Sequence, residues 1–130
     1  MGLSVLDTSV LVAFLDPDDP HHQGSVRAMG ESRTRHRLVV PAVAYAESLV
    51  RAYRQGERAA QKVLGFFDAA TIIEPIDERI ARAAARLRAK HRIRLPDALI
   101  LATGIELRAD EVLTADRRWR SIDRRVKVIG

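Results

Sequence analysis

An α/β fold is what this sequence predicts, with a parallel sheet and helices packed on both of its faces. Two observations carry the prediction. Short apolar runs of strand length alternate with longer stretches in which apolar residues recur at helical spacing. Gly, Pro and Asp punctuate the junctions, so each strand reaches the next through a helix, as parallel pairing requires. The length of 130 residues adds a bound, being enough for one core and too little for two. A single domain over residues 1–130 is therefore expected.

Each element has its own reason. Residues 3–6 are an apolar strand ending at Asp7, and Thr8 or Ser9 is placed to cap a helix through Val10, Leu11, Phe14 and Leu15. The Pro- and Asp-rich segment 16–20 breaks the chain before a second helix over 21–33. Residues 38–40 read as a buried strand stopped by Pro41, which suits the first turn of the next helix, running to about residue 54. Gly56 separates that helix from a shorter one over 58–67, whose Val63, Leu64, Phe66 and Phe67 call for a core. Residues 71–74 form the third strand, ended by Pro75, and Asp77 starts an alanine-rich amphipathic helix to about residue 91. The helix over 97–107 is apolar on nearly every side and belongs at the centre. Residues 111–114 and 126–129 are the last two strands, and the arginine-rich stretch 117–125 between them reads as a solvated turn.

Composition narrows the chemistry. There is no cysteine, which removes disulfides, thiolate zinc sites and cysteine nucleophiles. No basic n-region precedes the first strand, no apolar run approaches membrane-spanning length, and Leu6 stands where N-myristoylation needs Ser or Thr. A cytoplasmic protein without a membrane partner is expected. The net charge of +5 is carried largely by arginine, whose fork suits phosphate, so a polyanionic partner is indicated.

Against that basic background stand four acids in apolar company: Asp7, Glu47, Asp97 and Asp116. Singly, three of them have ordinary explanations. Asp7 and Asp97 sit where a carboxylate caps a helix or meets its dipole, and Asp116 sits in a turn. Glu47 resists, because it shares a helix face with Val43 and Val50, away from Arg51 and Arg54. Together, four turns that each deliver an acid to one edge of a sheet point to a hard divalent cation with oxygen ligands. Asp18, Asp19, His21 and His22 read instead as a polar loop, and His36 and His91 as surface residues.

The segments LDTSVLVAFLD, PAVAYAES, LPDALILATG and VLTADRRW resemble the four acidic motifs of PIN-domain ribonucleases, and most closely those of VapC toxins of type II toxin–antitoxin modules. The resemblance covers essentially the whole chain. It implies a three-layer α/β/α PIN-like domain with a central parallel sheet of four to five strands. It also implies Mg²⁺, with Mn²⁺ as an alternative, held by Asp7, Asp97 and Asp116, with Glu47 as a further catalytic acid. Thr8, Ser9 and Thr114 match hydroxyl positions that support the acids. An RNA substrate, a cognate antitoxin and a homodimer are the partners it implies.

The resemblance implies metal-assisted hydrolysis of RNA phosphodiesters, and because no histidine falls within the acidic motifs, metal hydroxide is a better nucleophile source than a histidine pair. Rival readings fare worse. A haloacid-dehalogenase-like phosphatase needs a second Asp at position 9, where Ser stands, and a receiver domain needs paired early acids. A non-catalytic nucleic-acid-binding module leaves the four acids unexplained. A PIN nuclease of RNA processing or decay remains the alternative within the same chemistry.

Overall fold

The computed structural model describes residues 1–130. Strands β1 (Gly2–Leu6), β2 (His36–Pro41), β3 (Ile72–Glu74), β4 (Glu111–Thr114) and β5 (Val126–Val128) form one sheet in the order β3-β2-β1-β4-β5. Every pairing in it is parallel. Six helices complete the chain: α1 (Thr8–Leu15), α2 (His22–Arg35), α3 (Ala42–Gln55), α4 (Glu57–Ala70), α5 (Glu78–Lys90) and α6 (Leu95–Glu106). The expected parallel α/β architecture is what the chain adopts.

The order places β1 and β4 side by side in the middle of the sheet, with Leu6 in register with Leu113. Both strands are enclosed where they pair, with Val5 and Leu6 of β1 beside Val112 and Leu113 of β4, and buried Ser4, Glu111 and Thr114 at the strand ends are held by hydrogen bonds. The core joins Val5, Leu6, Val39, Val40, Val112 and Leu113 of the sheet to Leu11 of α1, Ile80 of α5 and Ile100 and Leu101 of α6. Helix α6 is the most enclosed helix, and Gly104 explains how closely it sits. A Cβ there would run into Val112, so only glycine lets α6 approach β4.

Boundaries differ from the sequence reading where caps decide them. Asp77 caps α5 as expected, its Oδ1 accepting from the Ile80 amide at 2.8 Å. At α1, Asp7 takes the N-cap position that Thr8 or Ser9 was expected to hold, and no side chain caps the helix. Those hydroxyls are engaged elsewhere. Pro41 ends β2 and precedes the first turn of α3 instead of lying in it. Helix α4 reaches Ala70, because nothing in Asp68-Ala69-Ala70 stops it before β-branched Thr71. The 117–125 stretch is not merely a solvated turn: Arg117–Ser121 is a 3₁₀ turn pinned by Trp119, which is 2% exposed.

Candidate active site

The architecture carries all four acids toward the carboxyl edge of the sheet. Asp7 directly follows β1, Glu47 lies on the helix leaving β2, and Asp116 follows β4. Asp97 stands in the first turn of α6, which runs back toward β4 from that edge.

Asp7 is held most tightly. Its residue is 4% exposed, and its Oδ2 accepts hydrogen bonds from Ser9 Oγ at 2.6 Å and Thr114 Oγ1 at 2.8 Å. Each hydroxyl is itself oriented by a backbone amide. Ala115 N–H donates to Ser9 Oγ, and Asp116 N–H donates to Thr114 Oγ1, both at 3.0 Å. With an acceptor site on each oxygen taken, both protons are directed at Asp7. Burial nonetheless outweighs these bonds and, with the nearby Asp97 charge, pushes the Asp7 carboxyl up to about 6. A cation is what this carboxylate lacks.

Glu47 is half-buried and accepts from Thr8 Oγ1 at 2.7 Å, which ties α1 to α3. The apolar face it shares with Val43 and Val50 is only partly buried in the fold, because Val50 is 49% exposed. Asp97 is buried, yet both of its oxygens are taken by the exposed Arg94. Nε donates to Oδ2 and Nη2 to Oδ1, each at 3.1 Å. Asp116 receives the Arg118 fork, with Nη2 to Oδ2 at 2.7 Å, and that hydrogen bond holds its carboxyl below the usual range.

Of the seven residues singled out from the sequence, Ser9 and Thr114 bond Asp7 and the Asp116 amide bonds Thr114, whereas Thr8 and Glu47 form a separate pair and Asp97 is bonded only to Arg94. No three acidic or histidine side chains are grouped at metal-ligating range. Two arginines stand among them instead. Neither Arg94 nor Arg118 was singled out from the sequence, although Arg94 lies three residues before Asp97, a spacing that brings side chains together. The donor set still fits a hard cation. It is all oxygen, one member is buried without a counter-charge, and the cations now pairing the others are mostly exposed side chains.

His36 corrects the sequence reading on the opposite edge. It is not a surface residue: its side chain is 16% exposed and its Nδ1 lies 2.9 Å from Ser4 Oγ. Ser4 also donates to buried Glu111, which accepts from Ser32 as well and lies 4.0 Å from Lys127 Nζ.

An α/β protein with a carboxylate site at the carboxyl edge of a parallel sheet is the class that this fold and geometry define. Within it, the chain belongs to the PIN domain family, whose model matches residues 4–125. Solved structures agree on the fold. VapBC2 from Rickettsia felis, bound to a DNA fragment from its promoter, superposes with a TM-score of 0.82 at 14% identity, covering 98% of this chain and 99% of that one. A toxin–antitoxin complex from Klebsiella pneumoniae gives 0.80 at 22% identity, covering 98% and 97%. VapC20 from Mycobacterium tuberculosis, a sarcin–ricin-loop-cleaving toxin, gives 0.77 at 16% identity, covering 98% and 99%. No curated protein sequence matches the chain.

Proposed function

We propose that this chain, acting as a single PIN domain, is a divalent-metal-dependent endoribonuclease and the toxin of a toxin–antitoxin pair. The observation that carries the reading is Asp7, a nearly inaccessible carboxylate that two oriented hydroxyls leave short of compensation. Asp7 and Asp97 would hold Mg²⁺ or Mn²⁺, with Asp116 completing the set. Such an ion supplies Lewis acidity toward water and toward the phosphate. Ser9 and Thr114 fix the direction of the Asp7 carboxylate, and Thr8 holds the Glu47 carboxylate, which would serve as acceptor for a proton from water. The arginines around the edge are suited to the flanking phosphates.

The toxin role is supported by structural neighbours that are toxin–antitoxin proteins. A cognate antitoxin, a homodimer and a cytoplasmic location go with that role. No helix of the chain is long and apolar enough to cross a membrane. The test is cleavage of total RNA by purified protein, with Mg²⁺, Mn²⁺ or EDTA, beside folded Asp7→Asn and Asp97→Asn variants. Cleavage that needs the metal and is lost in both variants is expected. Cleavage by Asp7→Asn at the wild-type rate would falsify the site assignment.

A further inference from the structure

The arginine on Asp97 comes from the chain itself. Arg94 immediately precedes α6 in extended conformation, and its side chain is 73% exposed while that of Asp97 is 12% exposed. Its fork spans both oxygens of Asp97. Its charge also acts on Asp7 and Glu47, and Asp116 feels it in turn. The guanidinium is bonded to Asp97 alone, and the other three acids lie near enough for its charge to act on them. Beside it lies a cavity of about 110 Å³ whose lining includes Arg92, Arg94, Asp97, Asp116, Arg118 and Trp119.

We infer that Arg94 is an internal counter-ion that a divalent metal must displace, and that the displaced guanidinium then binds the substrate's phosphate. This rests on the metal-site reading proposed above. While both arginine bonds stand, each Asp97 oxygen already accepts one hydrogen bond and the guanidinium charge held against it repels an incoming cation. Displacement is cheap, because an ion pair with so exposed a partner contributes little. A released guanidinium stays tethered three residues from Asp97, and its planar fork matches phosphate oxygens as well as carboxylate oxygens. Loading the metal and gripping the substrate are coupled by one side chain that changes partners.

The two roles predict effects of opposite sign. Mn²⁺ is titrated calorimetrically into the wild-type chain, Arg94→Ala and Asp7→Asn, each checked for folding by circular dichroism. Binding of a short nuclease-resistant phosphorothioate RNA is then followed by fluorescence anisotropy at saturating Mn²⁺. Arg94→Ala is expected to bind Mn²⁺ about fivefold more tightly and the RNA about fivefold more weakly, the factor that removing one exposed ion pair allows. A merely structural role would weaken both or neither. Unchanged or weaker Mn²⁺ binding by Arg94→Ala, with binding still lost in Asp7→Asn, overturns the inference and leaves the metal site standing. Unchanged RNA affinity overturns the phosphate role. Absence of Mn²⁺ binding in both the wild-type chain and Arg94→Ala overturns the metal site beneath it.

Discussion

Replacing Asp7 with Asn should remove the activity and yet make the protein more stable. The carboxyl rises from 3.8 to about 6 on folding, chiefly by burial. An acid whose folded pKa is raised costs stability only where it is ionised. The cost is absent below 3.8, grows between there and about 6, and is complete above that. At about 1.4 kcal/mol per pH unit, it amounts to about 3 kcal/mol at neutral pH and under about 1 kcal/mol at pH 4. An asparagine with its carbonyl oxygen at the Oδ2 position can accept from both Ser9 and Thr114, so the hydrogen bonds survive in weaker, neutral form. The net gain expected at pH 7.5 is therefore about 1–3 kcal/mol, falling toward zero near pH 4. Urea unfolding in EDTA at several pH values measures both quantities. Added Mn²⁺ should stabilise the wild-type chain and not the variant, because only a folded state with a ligand set gains from it. A variant less stable than wild type at pH 7.5, or one with the same pH slope between 4 and 6.5, would refute the reasoning.

Two further substitutions test the opposite edge of the sheet and the turn beside the site. Burial pushes the Glu111 carboxyl up, but hydrogen bonds from Ser32 and Ser4, with the Lys127 and His36 charges, leave it below its usual value. Its stabilisation is thus present above 4.5 and lost as pH falls through the lower folded value. Glu111→Gln should lower stability at pH 7 by about 1–2 kcal/mol and reduce the acid sensitivity of unfolding, with RNA cleavage retained when assayed well below the melting point. Trp119→Ala should cost about 3–5 kcal/mol in urea unfolding. Because Trp119 anchors the turn that carries Arg118 and follows Asp116, it should also weaken Mn²⁺ binding measured calorimetrically.

The fold was legible because short apolar runs at the central strands alternate with longer stretches at helical spacing, of which α3, α4 and α5 are amphipathic. The acids were legible as a set because a parallel α/β order delivers every strand end to one edge. The pairing of side chains was not. Asp7 sits at an N-cap position and caps nothing, since its neighbours' hydroxyls turn toward it from Ser9 and from Thr114, 107 residues away. His36 read as a surface residue because nothing local says that Ser4 and Glu111 converge on it. Arg94 is the opposite case. Its spacing from Asp97 is local, but a basic residue before a capping acid is an ordinary helix-start pairing, and its reach to three other acids exists only in the fold.

The two edges of the central strands bury a carboxylate in opposite ways. At the amino edge Glu111 receives two serine hydroxyls, with a lysine and a histidine nearby, and its carboxyl is held low. At the carboxyl edge Asp7 also receives two hydroxyls, but its nearest charged influence is another acid, and its carboxyl is pushed up. The same strands β1 and β4 supply both, so the chain has the means to compensate a buried acid with charge and withholds them from Asp7. A purely structural Asp7 would be a defect of about 3 kcal/mol in a protein whose total stability is only about 5–15 kcal/mol. As a ligand awaiting a cation it is not a defect, because the ion supplies the missing charge and recovers the cost when it binds. The exposed arginines on Asp97 and Asp116 fit that reading, since they compensate the neighbouring acids by contacts weak enough to be given up.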